Sequence, residues 1–94
     1  MNKTELRRAK VKAVVNMLVD SFGADIEDAD GGRMDVLISG MNGQFSRRDF
    51  DFTFFDSIKL FGEHSEETIA RHKKAVQLED IINKEIEKTL EKVA

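Results

Sequence analysis

The stretch "RDFDFTFF" at residues 48–55 sets an arginine ahead of alternating aspartates and phenylalanines, and five of the chain's seven phenylalanines fall between Phe45 and Phe55. In outline this is the chemistry of an RNA-binding strand, a basic residue followed by rings on which bases stack. Asp49 and Asp51, however, occupy places where such a strand carries small residues, and their carboxylates repel phosphate. "DADGGRMD" at residues 28–35 offers carboxylates for calcium. A calcium loop of the EF-hand type needs oxygen ligands at its first, third and fifth positions, glycine at the sixth and glutamate at the twelfth. With Asp30 fifth and Gly31 sixth, Ile26 stands first and Leu37 twelfth, so the stretch reads as a hairpin turn. His64 and His72 lack an HExxH frame and a third ligand at useful spacing. No nucleophile elbow, phosphate loop or dinucleotide fingerprint occurs, and there is no cysteine. No metal and no cofactor are expected, and no enzymatic activity.

These residues are set on a short list of elements. Residues 3–22 carry Leu6, Ala13, Val14, Met17 and Leu18 on one face at helical spacing, with Asn2 as N-cap and Gly23 as C-cap. "DGG" at residues 30–32 is the strongest hairpin signal, since a tight turn needs positive φ. Ile26 precedes it, and Met34, Val36 and Ile38 follow in alternation. "SGMNG" at residues 39–43 reads as a second turn, leading to Phe50, Phe52 and Phe54 in alternation. Residues 55–62 read as a single helical turn. Ser65 caps a long helix with the apolar stripe Ala75, Leu78, Ile82, Ile86, Leu90 and Val93. The expected fold is α+β, one domain over residues 1–94. A three-stranded antiparallel meander has an N-terminal helix and a long C-terminal helix packed on one face, in the order α-β-β-β-α.

Two amphipathic helices need an apolar sheet face to pack on. Only the face holding Ile26, Met34, Val36, Ile38, Phe50, Phe52 and Phe54 supplies one, so the phenylalanines are expected inside. The opposite face then gathers Asp25, Glu27, Asp35, Asp49 and Asp51. Two readings of that surface stand side by side: a solvated face that keeps the sheet soluble and blocks edge pairing, or a contact surface for a basic protein.

Net charge is −3, split into +3 over residues 1–22, −5 over residues 23–65 and −1 over the rest. The basic residues Lys3, Arg7, Arg8, Lys10 and Lys12 crowd the first helix, and with Arg47 and Arg48 they form the best nucleic-acid feature, against a pI near 5.4. "GGRMDVLISGMNGQFSRRDF" at residues 31–50 resembles the hairpin region of the YbaB/EbfC-type nucleoid-associated proteins. Here the first helix is shorter, and the segment from the arginine pair to "LEDII" longer. The resemblance implies the same α-β-β-β-α order and a dimer.

A chain of 94 residues buries a thin core, so a dimer or partner interface is expected to help. The expected dimer contacts are Ile86, Leu90 and Val93, on helical turns that overhang the sheet. No apolar run is long enough for a membrane span or a signal peptide, so the expected location is cytoplasmic, with no membrane partner. The leading expectation is a non-enzymatic interaction module, an adaptor or inhibitor, that uses the acidic face and the C-terminal helix. The alternative is a dimeric nucleic-acid-binding protein that uses the basic helix.

Overall fold

The computed structural model describes residues 1–93. Helix α1 spans Lys3–Phe22. Its N-terminus is closed reciprocally: the Asn2 side chain accepts from the Glu5 N–H at 2.8 Å and donates to the Glu5 carboxylate at 2.9 Å. Gly23, at φ 62°, ends the helix in the left-handed conformation that glycine adopts without penalty. The sheet has four strands, β1 (Asp25–Asp28), β2 (Arg33–Ile38), β3 (Met41–Ser46) and β4 (Phe52–Phe54), antiparallel in the order β1-β2-β3-β4. A short 3₁₀ turn follows at Phe55–Ser57. Helix α2 spans Glu66–Glu91, its first turn capped by the Ser65 hydroxyl accepting from Thr68 N–H.

The α+β class, the two helices and the antiparallel meander are as expected; the strand count is four rather than three. The second turn is only Ser39-Gly40, both at positive φ, so Met41 already begins β3. Strand β3 sends Met41, Gly43 and Phe45 inward. Phe50 is not on a strand. It adopts φ 55° in the β3–β4 turn, half-buried, with its ring 6.4 Å from that of Phe45. The helical turn expected over residues 55–62 is shortened to the 3₁₀ turn.

Both helices lie against the inner sheet face. The core comprises Val14 and Leu18 of α1, Val36, Ile38, Met41, Phe45, Phe52 and Phe54 of the sheet, and Ala75, Ile82 and Ile86 of α2, with Ala24 from the α1–β1 connection. Ile26, Met34 and Phe50, expected at its centre, pack at its margin. Gly43 is fixed by sterics: a Cβ there would lie 2.5 Å from the Thr53 carbonyl oxygen and 2.7 Å from the Phe52 ring.

Strand β4 has no strand on its far side, and α2 takes that place. The Asn83 amide accepts from Phe52 N–H at 2.9 Å and donates to Phe52 C=O at 2.8 Å, as a neighbouring strand residue would. One turn earlier the Glu79 carboxylate accepts from Phe54 N–H at 2.7 Å and from the Ser57 hydroxyl at 2.6 Å. The match is metric: four helix residues rise about 6 Å, close to the ~6.7 Å between alternate strand residues.

The molecule measures 51 × 24 × 20 Å. The end of α2 without core contacts is the N-terminal one: residues 66–74 are exposed apart from half-buried His72, and Ala75 is the first buried residue. This overturns the expected placement of the C-terminal turns. Ile86 is 1% exposed within the chain's own core and Leu90 packs against that core, with half-buried Val93 beyond them. Ile86 and Leu90 are used by the chain's own core, so the C-terminal turns of α2 do not overhang the sheet as a free apolar stripe.

Candidate interaction surfaces

The outer sheet face is built by strand alternation. Register sets Glu27 directly opposite Asp35, and Asp25 opposite Leu37. On β3, Gln44 faces Asp35 and donates to its carboxylate at 3.2 Å, while Asn42 faces Leu37. Asp25, Glu27 and Asp35 therefore share a shallow depression with Leu37 and Asn42. Leu37 is 39% exposed there, an apolar side chain among three carboxylates. Among the described residues, no lysine or arginine forms an ion pair with any of the three.

The other two expected acids lie outside this depression. Asp51 is opposite Ser46, whose N–H donates to the Asp51 carbonyl at 2.9 Å, and Ser46 in turn pairs with Arg33. It lies on the outer side at the far edge, in a row with a cation. Asp49 is in the β3–β4 turn, not on a strand. Its N–H donates to the Ser46 hydroxyl at 3.1 Å, and its carboxylate is 3.6 Å from Arg48. The correction follows from Phe50: a residue at positive φ breaks the alternation that would have put Asp49 and Asp51 on one face.

The basic residues divide between two sides of α1. Arg7, Arg8 and Lys12 join Arg47 around a groove of about 430 Å³ whose remaining lining is Thr4, Val11 and Val15. Arg47 reaches it from the β3–β4 turn and stands 3.6 Å from Asp28. Lys3 and Lys10 border a separate hollow with Leu6, Arg7 and Phe50, where the Arg7 guanidinium lies 5.8 Å from the Phe50 ring centroid. Arg48 points away, 84% exposed. The convergence of Arg47 with the helix was not visible in sequence, since 35 residues separate it from Lys12.

Sequence reasoning also missed an anchoring cluster at the start of α2. Arg71 donates to the Asp56 carboxylate at 2.8 Å and to the Gly40 carbonyl at 3.3 Å, tying α2 to the 3₁₀ turn and the β2–β3 turn. The His72 ring lies 2.9 Å from the Asp56 carbonyl oxygen and the His64 ring 2.8 Å from that of Phe61. Exposed Phe55 and Ile58 line a hollow with Asp56, Arg71 and His72, and Phe61 is exposed as well. Elsewhere on α2, a hydrogen bond to Asp80 and the charge of that carboxylate hold the Lys84 ammonium above the ordinary lysine range.

Among the described residues, no group of three His, Cys, Asp or Glu side chains is arranged to hold a metal ion, and no helix is long and apolar enough to cross a membrane. No family model, curated protein or solved structure matches this chain.

Proposed function

We propose that the protein is a non-enzymatic interaction module, an adaptor or inhibitor, whose outer sheet face binds a basic surface on another protein. One observation carries this reading: Glu27 and Asp35 stand directly opposite each other on adjacent strands, and neither is in an ion pair among the described residues. Like charges in direct register cost a sheet stability. A positively charged partner surface removes that repulsion, and exposed Leu37 gives the contact an apolar centre. The carboxylates steer a basic partner and set its orientation, so binding weakens as salt rises.

The test is affinity capture from cell extract, with and without nuclease, using wild type and the double variant Asp25→Lys with Asp35→Lys. Captured protein is expected to survive nuclease, to fall with salt and to vanish in the variant. Capture that persists in the folded variant, or that nuclease abolishes, would sink the proposal.

A second reading, nucleic-acid contact through α1, draws support from the convergence of Arg7, Arg8, Lys12 and Arg47 on one groove. It leaves the Val11 and Val15 lining without a role, because a phosphate backbone gains nothing from aliphatic groups. Its signature is duplex binding that falls steeply with salt and is lost in Arg7→Glu with Arg8→Glu.

A further inference from the structure

We infer that a second copy of this chain is itself a basic partner of the outer face, joined head to tail. The face bearing Asp25, Glu27 and Asp35 of one copy seats on the groove of Arg7, Arg8, Lys12 and Arg47 of the next. The inference rests on the proposed function above, that the outer face takes a basic protein surface.

The two surfaces match in layout. One is an exposed leucine among three unpaired carboxylates; the other is a pair of valines among four cations. Each brings the charge the other lacks and an apolar centre to bury with it. Asp28 does not cancel the groove, because its pair with Arg47 spans 3.6 Å between side chains 77% and 37% exposed. Exposed pairs of that kind hold weakly. Arg8 and Lys12 line the groove without an ion-pair partner among the described residues, and Arg7 lines it too, with its guanidinium over the Phe50 ring of the neighbouring hollow.

The surfaces lie on different sides of the molecule, since α1 packs on the inner sheet face, so one copy cannot satisfy itself. A two-fold contact centred on either surface would set like charge against like. The pairing is therefore heterologous, and such a contact either closes into a ring or extends as a filament.

The experiment is sedimentation of the full chain over rising concentration at low and high salt. Wild type is expected to exceed its 10.7 kDa chain mass progressively at low salt and to return to it at high salt. Two neutralising double variants then separate the surfaces: Arg8→Gln with Lys12→Gln, and Asp25→Asn with Asp35→Asn. All four side chains belong to exposed residues, so circular dichroism is expected to stay near wild type, and melting to stay near it or, for Asp25→Asn with Asp35→Asn, to rise as the Glu27–Asp35 repulsion is removed. Each variant alone should self-associate about tenfold more weakly or less, the effect of losing ~1.4 kcal/mol. Mixed in equal amounts they retain one live face and one live groove, and should form a 1:1 dimer that grows no further.

Wild type monomeric throughout the low-salt series would overturn the inference. So would a mixture that stays monomeric while wild type associates, or duplex DNA that occupies the groove and leaves self-association unchanged. Capture of a foreign basic protein by the Arg8→Gln, Lys12→Gln variant tests the proposed function separately. Its presence with monomeric wild type defeats only the head-to-tail contact; its absence with assembling wild type defeats only the claim of a foreign partner.

Discussion

Asn83→Ala is the most informative single change to the fold. It deletes both hydrogen bonds that α2 gives to Phe52, at 2.9 and 2.8 Å. Two such bonds contribute a net ~1–3 kcal/mol, and a part-buried N–H left without a partner adds about 1 more, so the expected loss is ~2–4 kcal/mol. In urea, with a slope of roughly 1 kcal/mol per molar for a domain this small, the midpoint should fall by about 2–4 M. Asn83→Asp makes the comparison sharper. Its carboxylate still accepts from Phe52 N–H but has nothing to donate to Phe52 C=O, so a loss of similar size is expected even though one bond survives. Hydrogen exchange at the Phe52 amide should accelerate in the alanine variant to the rate set by local opening. An alanine variant within about 0.5 kcal/mol of wild type, the range of ordinary surface changes, would mean that water replaces the amide freely. The helix would then not be holding the strand edge.

Two further outcomes follow from backbone geometry. Gly43→Ala should cost about 1–3 kcal/mol or more by chemical denaturation, because the added methyl meets the Thr53 carbonyl and the Phe52 ring at distances that force both to move. Ser39→Asn should raise the melting midpoint slightly, by roughly 0.5 kcal/mol in stability, since asparagine tolerates the φ of 53° better than serine and Asn-Gly suits this two-residue turn.

Helix α2 was legible from its apolar stripe and its Ser65 cap; α1, whose apolar face is weak and buries only Val14 and Leu18, was legible chiefly from its ends, where Asn2 and Gly23 act as the capping rules require. The inward set of phenylalanines was legible for Phe52 and Phe54. Strand β3 was hidden by its own packing: its middle inward residue is Gly43, present because the Phe52 ring fills the space, and a glycine beside Asn42 looks like a turn. Phe50 misled in the opposite sense. Its spacing from Phe52 fits a strand, but Phe50 closes the β3–β4 turn at positive φ, its N–H donating to the Ser46 carbonyl at 2.8 Å and its ring lying near Phe45 and Arg7. Of the five expected acids, the three on regular strands were legible together; Asp51 reaches the outer side apart from them, and Asp49, in the turn before Phe50, was the one misplaced. The groove on α1 depends on Arg47 arriving from a turn, which no local pattern encodes.

The way α2 closes β4 also bears on how the chain is made. Synthesis is vectorial, so the hairpins of β1, β2 and β3 can pair while the ribosome is still adding residues. The edge of β4 cannot close in that interval, because Glu79 and Asn83 lie 25 and 31 residues downstream of the amides they bind. Throughout it, "FDFTFF" is a bare, aromatic, proline-free strand edge of the kind that pairs with other nascent chains. The period of greatest aggregation hazard is thus set by the length of chain between Phe54 and Glu79, and any transcript or protease that ends the chain before Glu79 leaves that edge permanently open.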